Sequence, residues 1–567
     1  MPRSTWADYN SALISEGGGV WERASKEIPL SPAIRKWLGV RHATMEGDEL
    51  IRRLLLADVE LLWNGGIGTY VKSSLEKNAD VGDRANDNVR VSASQVKAKV
   101  IGEGGNLGLT QPGRIEYAMC GGMINTDAID NSAGVDTSDH EVNLKIFFQT
   151  LREAGVIKTE RTRNHRLQEV EEDVCHMVLA NNYTQSQCLS LDLRRCQYDI
   201  DPFIALSERL VNTGLLDRKG ESLPSLKELT ARGCGYLRPE LSILLAYSKM
   251  HLYQTLLESE LPDQESTQIF LQQYFPDKTR KRYSVQIKNH PLRREIIATM
   301  ITNRIVDQAG CAFLNTLVQQ SGATMLEGVA AYLVFDEVLN GDAIRKQVAA
   351  VDNKMSSARQ YELLEGLERS LAGLCRQIFE QVLPMRLDKA CVKDYRQRLN
   401  VFRSHLVELL PEAEWQVCKD AAKVIVKEGF PEEMALEMAS FRYLAGFLPA
   451  VHIVEKTGAD LLQVTAAVGE MRLRLKISQV MESLNEYTPH DQWDRAALVS
   501  LRSAFIKQAI KLTRSVVAAG QGTDAFLAGK RQRLDTYLSL VETLHSAPPS
   551  TTSLYVVLLR ALEAVED

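Results

Sequence analysis

The stretch VIGEGGNLGLT, Val100 to Thr110, decides the fold. An apolar run stops at glycine, and Gly102, Gly104 and Gly108 then follow the pattern G-x-G-x-x-x-G, one residue longer than the dinucleotide fingerprint G-x-G-x-x-G. The same grammar recurs on either side. DVELLWNGG (Asp58 to Gly66), KAKVIGEGG (Lys97 to Gly105) and the weaker GGMINTDAIDN (Gly121 to Asn131) each read as a buried strand bounded by a glycine turn. Between them lie helical candidates, GDELIRRLLLADVE before the first strand and QPGRIEYAMC after the second, where Pro112 suits a first helical turn. Strand and helix in alternation predict a parallel α/β sheet. Only one short strand follows VIGEGG, so that run falls late in its sheet. Residues 1–150 therefore read as a partial Rossmann-like domain whose amino-terminal strands are missing.

Glycine usage separates this region from the rest, since 17 of the 35 glycines lie within the first 150 residues. From about Val142 onward a period of 3.6 dominates. In VKDYRQRLNVFRSHLVELLP, Tyr395, Leu399, Phe402, Leu406 and Leu409 recur at spacings of four and three, and Pro411 closes the run. Residues 151–567 are thus expected to be a large, mostly α-helical region, with a possible subdivision near 380–390. No fixed repeat marks a solenoid.

Composition excludes several classes. A formal charge of -6 argues against a protein that grips nucleic acid phosphates. Apolar stretches such as Tyr443 to Val454 are too short for a membrane span, so no membrane partner is expected. The opening MPRSTWADYN lacks the pattern of a secretory signal, which points to a cytoplasmic location. Nine cysteines without a C-x-x-C pair suggest neither a zinc site nor a disulfide framework. The acidic run of Glu103, Asp127, Asp130, Asp136, Asp139, His140 and Glu141 matches no metal loop, and no metal is expected. One basic cluster, Lys278 to Arg294, reads either as a salt-bridged face or as a seat for an anion or an acidic partner.

Late strands of such sheets still border the ligand crevice, which opens at the strands' carboxyl ends. Asn106 could there donate to and accept from a carboxamide or a ribose hydroxyl. A turn at Gly104 and Gly105 followed by a capping Asn106 explains the same residues without a ligand.

LLWNGGIGTYVKSS, ADVGDRANDNVRV and KVIGEGGNLGLTQPGRIEYAMCGGMINTDAIDNSAGVDTSDHEVNLKI resemble the large bacterial class of NAD-specific glutamate dehydrogenase, as do RPELSILLAYSKM and HPLRREIIATMITNRI farther on. The resemblance covers nearly the whole chain. It implies oxidative deamination of L-glutamate to 2-oxoglutarate and ammonia with NAD as cofactor, in a homo-oligomeric full-length enzyme. By resemblance, Asn106 of GEGGN lies by the nicotinamide ribose, Asn131 approaches the nicotinamide carboxamide, and Ser138 meets the substrate side-chain carboxylate. Gly104, Gly65 and Gly66 are weaker candidates for close backbone contact with the dinucleotide. Ser138 also reads as a helix N-cap ahead of DHEVNLKI. Nothing matches the family's catalytic lysine, its acid–base aspartate or its pyrophosphate-binding fingerprint. No catalytic residue is therefore expected in this chain, which reads as a carboxyl-terminal part, inactive alone. The competing reading is a non-catalytic helical scaffold that binds an anion or acidic partner through the basic cluster.

Overall fold

The three glycine-bounded runs become three parallel strands. In the computed structural model, which describes residues 5–15, 17–406, 410, 412–488, 490, 492–546 and 551–566, a short antiparallel pair comes first, β1 (Ile28–Pro29) with β2 (Thr44–Met45). Then follow β3 (Leu61–Asn64), β4 (Val71–Lys72), β5 (Val91–Ser92), β6 (Val100–Glu103) and β7 (Met123–Ile124). The sheet order is β3-β6-β7, all parallel, while β4 and β5 form a small parallel pair alongside. This is a partial Rossmann-like sheet, and a large helical region follows it.

Register explains the sheet's two faces. Leu62, Ile101 and Ile124 stand side by side and face a core completed by Val71, Val91, Leu109 and Tyr117. The alternate row is Leu61, Val100 and Met123, with Trp63 next along β3. Here the structure corrects the sequence reading of β3 as a buried strand, because Leu61 is 56% and Trp63 60% exposed. A parallel sheet normally carries helices on both faces, and this one is covered on one.

The helices α1 (Pro32–Leu38), α2 (Gly47–Leu55), α3 (Asn78–Val81) and α4 (Gln111–Met119) intervene. Pro112 does sit in the first turn of α4, and the Thr110 hydroxyl caps that turn by accepting from Gly113 N. On its inner side Tyr117 donates to Ala98 O, which ties α4 to the start of β6. After β7 come α5 (Asp127–Asp130) and α6 (Ser132–Glu153). Helix thus begins well before Val142. The first turns of α6 place polar residues, Ser132 and Asp136, against Asn182 and Asn181 and leave Val135 exposed, so they carry no apolar stripe.

By its internal contacts the chain divides into two units, Met1–Thr316 and Leu317–Asp567. Within the second, Tyr395, Leu399 and Phe402 are buried along the helix Lys389–Ser404, and Leu406 is buried just beyond it. Leu409 and Pro411 lie outside the described residues. Among the described residues no helix is long and apolar enough to cross a membrane.

Candidate functional site

The carboxyl ends of β3 and β6 lie against one another, and glycine is what lets them. Gly105 N donates to Asn64 O at 3.0 Å. A Cβ on Gly105 would collide with Gly66 O, so any larger residue would push the two turns apart. Gly65 and Gly66 are exposed beside this contact. The Trp63 indole lies across Gly102 and Gly104, and a Cβ on either would strike its ring. Gly104 thus has a packing reason of its own.

Beneath the loop sits a charged anchor. Glu103, fully buried at the end of β6, receives Arg114 Nε at 2.7 Å and Arg114 Nη2 at 2.9 Å from α4. Leu109 N donates to the same carboxylate at 3.1 Å, so Glu103 ties together both ends of the segment 103–109. Burial pushes the Glu103 carboxyl above the usual range, and Arg114 pulls it back. Arg114 also meets Asp127 at 3.0 Å, and the other Asp127 oxygen accepts Leu107 N at 2.8 Å. Leu107 is held at φ 54, a left-handed conformation that costs a branched residue energy and that this contact fixes. Asp130 accepts Glu103 N at 2.9 Å and Asn125 Nδ2 at 2.6 Å. Three members of the acidic run thereby serve backbone amides and one arginine. Among the described residues no group of three or more His, Cys, Asp or Glu is placed to hold a metal ion.

At the loop's tip the structure brings together the two asparagines. Asn131 Nδ2 donates to Asn106 Oδ1 at 2.7 Å. That bond uses one half of each amide. Among the described residues nothing else accepts from Asn106 Nδ2 or donates to Asn131 Oδ1, so an amide donor and an amide acceptor stand side by side at an exposed position. Asn131 closes α5 and opens α6. Ser138 lies seven residues farther along α6, on the same helix face and about 10 Å along the axis. It is exposed and internal to the helix. The N-cap reading of Ser138 is corrected, because the helix starts at Ser132.

Two features escaped the sequence. Trp63 gives Gly102 and Gly104 a role that no glycine pattern reveals, and its one visible sign is the alternation of Leu61 and Trp63 with polar or inward residues. Arg238, in RPELS, reaches back to Asn125 and donates from Nη1 to Ser190 Oγ at 2.8 Å and from Nη2 to Ser186 O at 2.8 Å. It braces the chain just after β7 against the helix Glu171–Tyr198.

The basic cluster is largely paired. Lys278 meets Asp173 at 3.3 Å, Arg282 meets Glu169 at 3.1 Å, and Arg293 and Arg294 share Asp263. Arg294 also donates to Leu257 O at 2.9 Å and Ser259 O at 3.0 Å. This is the salt-bridged face of the two sequence readings.

Comparison with known proteins agrees with this architecture. Residues 1–192 match the family model described as bacterial NAD-glutamate dehydrogenase, catalytic domain, and residues 233–564 match glutamate dehydrogenase, C-terminal. The NAD-specific glutamate dehydrogenase of Halomonas elongata is 36% identical over 548 residues, covering 96% of this chain and 34% of that protein. The enzyme of the same name from Pseudomonas aeruginosa is 35% identical over 573 residues, 99% of this chain and 35% of its own length. The Mycobacterium tuberculosis protein is 36% identical over 537 residues, 92% and 32% respectively. The chain therefore spans about a third of the length of the curated relatives it matches. With a C-terminal family model covering more than half of its residues and the catalytic-domain model covering the sheet, this chain belongs to the bacterial NAD-glutamate dehydrogenase family.

Proposed function

We propose that this chain supplies the nicotinamide end of an NAD site and part of the glutamate pocket of an NAD-dependent glutamate dehydrogenase. The observation that carries the reading is the Asn106–Asn131 pair, whose free Asn106 N–H and free Asn131 amide oxygen match a ribose hydroxyl oxygen and the N–H of a carboxamide. Its position supports the same reading, at the carboxyl end of a parallel sheet where crevices of this fold open. The turn residues Gly65 and Gly66 leave the backbone bare for close approach, whereas Gly104, packed against the Trp63 indole, is the weaker candidate. When bound, NAD accepts a hydride from the α-carbon of L-glutamate.

In this proposal Asn106 orients the nicotinamide ribose and Asn131 the carboxamide, while Ser138 donates its hydroxyl to the side-chain carboxylate of the substrate, a charge-assisted bond. The Glu103–Arg114–Asp127 anchor acts through the loop by fixing the place of Asn106. Residues 1–150 form the cofactor-binding part and residues 151–567 the helical part, in an enzyme that assembles from identical subunits. Proton transfer from the substrate amine requires a lysine and an aspartate held close to the reacting carbon. We assign neither role to a residue of this chain, which is therefore expected not to turn over alone.

Calorimetric titration of NAD into the chain tests this directly. Binding weakened about tenfold by Asn106→Ala or Asn131→Ala, as the loss of one hydrogen bond to a ligand implies, with no glutamate-dependent NADH formation, is the expected result. Unchanged affinity in both variants removes the asparagines from the site, and turnover by the chain alone overturns the absence of the catalytic pair.

A further inference from the structure

The turn that carries Asn131 is clamped by a neighbouring helix and kept bare beside its amide, and both features bear on what that amide can recognise. Asn131 stands between α5 and α6 with φ -96 and ψ 16, off the helical path of the residues around it, and its side chain makes no cap bond to the helix it opens. Asn182, on the helix Glu171–Tyr198, holds the turn in place. Its Nδ2 donates to Ile129 O at 2.8 Å and to Ser132 Oγ at 2.8 Å, one proton to each side of Asn131. Ile129 O belongs to the last turn of α5, where helix carbonyls lack an intrahelical partner. The Ile129 side chain is buried, so the clamp fixes the turn to the body of the first unit. Asn181 Nδ2 binds the next turn of α6 in the same way, donating to Asp136 Oδ2 at 2.8 Å.

Gly134 is the second feature. Asn131, Gly134 and Ser138 are spaced by three and then four residues, which places them along one face of α6 with the glycine in the middle. The strip between the two polar side chains is therefore bare. A Cβ on Gly134 would stand 3.3 Å from Asn131 Oδ1 and would meet no other neighbour outside its own helix within 4 Å. Glycine weakens a helix relative to alanine, and Gly134 has no positive φ that requires it. Clearance of the Asn131 oxygen is what remains to explain it.

An amide oxygen accepts hydrogen bonds and donates none. A carboxamide offers it an N–H, whereas a carboxylate in the same place offers only lone pairs and a negative charge. We propose that the Asn131 oxygen makes this site select the amide form of the pyridine dinucleotide over its acid form, with Asn182 as the residue that positions the oxygen and Gly134 as the residue that keeps it clear. This rests on the placement of Asn131 at the carboxamide proposed above, and adds to it a discrimination and two residues that enforce it. Asn182 acts through Asn131, without a contact of its own to the dinucleotide.

Titration calorimetry of the chain with NAD and with deamido-NAD, in which a carboxylate replaces the carboxamide, reads the ratio of the two affinities. General damage to the fold lowers both affinities and leaves the ratio, whereas displacement of the Asn131 oxygen collapses it. Expected is a preference for NAD of about tenfold or more, falling to about twofold or less in Asn131→Ala, Asn182→Leu and Gly134→Ala, as the loss of one hydrogen bond implies. Asn182→Leu keeps the approximate size of the side chain and removes both donors. Gly134→Ala improves helix propensity, so its thermal midpoint by circular dichroism stays at or above the parent's while the ratio falls. Adding Asn182→Leu to Asn131→Ala changes the ratio no further. A preference retained in Asn182→Leu or in Gly134→Ala, though lost in Asn131→Ala, removes that residue from the role. Equal affinity for the two dinucleotides in the parent chain, with Asn131→Ala still weakening both, overturns the discrimination and leaves Asn131 in the site. Absence of NAD binding, or NAD affinity indifferent to Asn131→Ala, overturns the placement of Asn131 and this inference with it.

Discussion

Gly104 can be a glycine for two physical reasons, and a double-substitution cycle with Trp63 separates them. In Gly104→Ala the added methyl strikes the Trp63 indole, which must slide off the strip formed by Gly102 and Gly104. Trp63 is 60% exposed, so two-fifths of a side chain that can bury up to ~250 Å² is at stake, roughly 100 Å². At about 25 cal/mol per Å² the full loss amounts to ~2.5 kcal/mol, and a partial slide of the ring costs about 1–2 kcal/mol. Trp63→Ala removes the same contact by itself. In that background Gly104→Ala then costs no more than about 0.5 kcal/mol, which gives a coupling of ~1 kcal/mol or more. The readout should be local: hydrogen exchange of peptides covering 100–110, where ~1.4 kcal/mol corresponds to a tenfold change in opening. NAD titration of the same four proteins completes the cycle. If Gly104 also borders the dinucleotide, Gly104→Ala weakens NAD binding in the Trp63→Ala background although exchange there is unaffected. Additive exchange effects, with the methyl equally costly whether or not the indole is present, would refute the packing argument.

Two further outcomes follow from the anchors around the loop. Burial works against ionisation of Glu116, yet donors on Ser73, Ser74 and Ser94 hold its carboxyl down to about 2. A carboxyl depressed in the folded state stabilises above its ordinary pKa near 4.5, and that stability is lost as pH falls toward 2. Glu116→Gln should therefore cost about 1–2 kcal/mol at pH 7, discounted for its partial exposure, and the difference from the parent should close in denaturation curves taken below pH 4. Arg114→Met strands the fully buried Glu103 and is expected to destabilise the first unit by about 3–5 kcal/mol, whereas Arg114→Met combined with Glu103→Leu should recover much of the loss. A double variant less stable than the single would show that the ion pair, rather than the avoidance of a lone charge, holds the loop.

The sheet was legible in the sequence because its signals are local. Each of the three runs is bounded by glycine, Pro112 marks the start of α4, and strand–helix alternation predicts the parallel pairing of β3, β6 and β7. The start of α6 was not, because its first two turns pack through polar side chains and show no apolar period. β4 and β5 escaped for a different reason: two-residue strands carry no periodicity at all. At the site, Asn106 and Asn131 were named from resemblance, whereas their mutual bond is a contact across 25 residues that spacing does not encode. The burial of Glu103 and Arg114 was equally invisible. An acidic residue in a glycine turn reads as solvated until the tertiary structure encloses it.

The Asn106–Asn131 pair is proposed to receive the nicotinamide end of NAD. Saturation-transfer difference NMR of NAD with this chain measures which end of the dinucleotide lies closest to the protein. The strongest saturation is expected on the nicotinamide ring and its ribose, reduced in Asn106→Ala. Stronger saturation on the adenine protons, unaffected by that substitution, would contradict it.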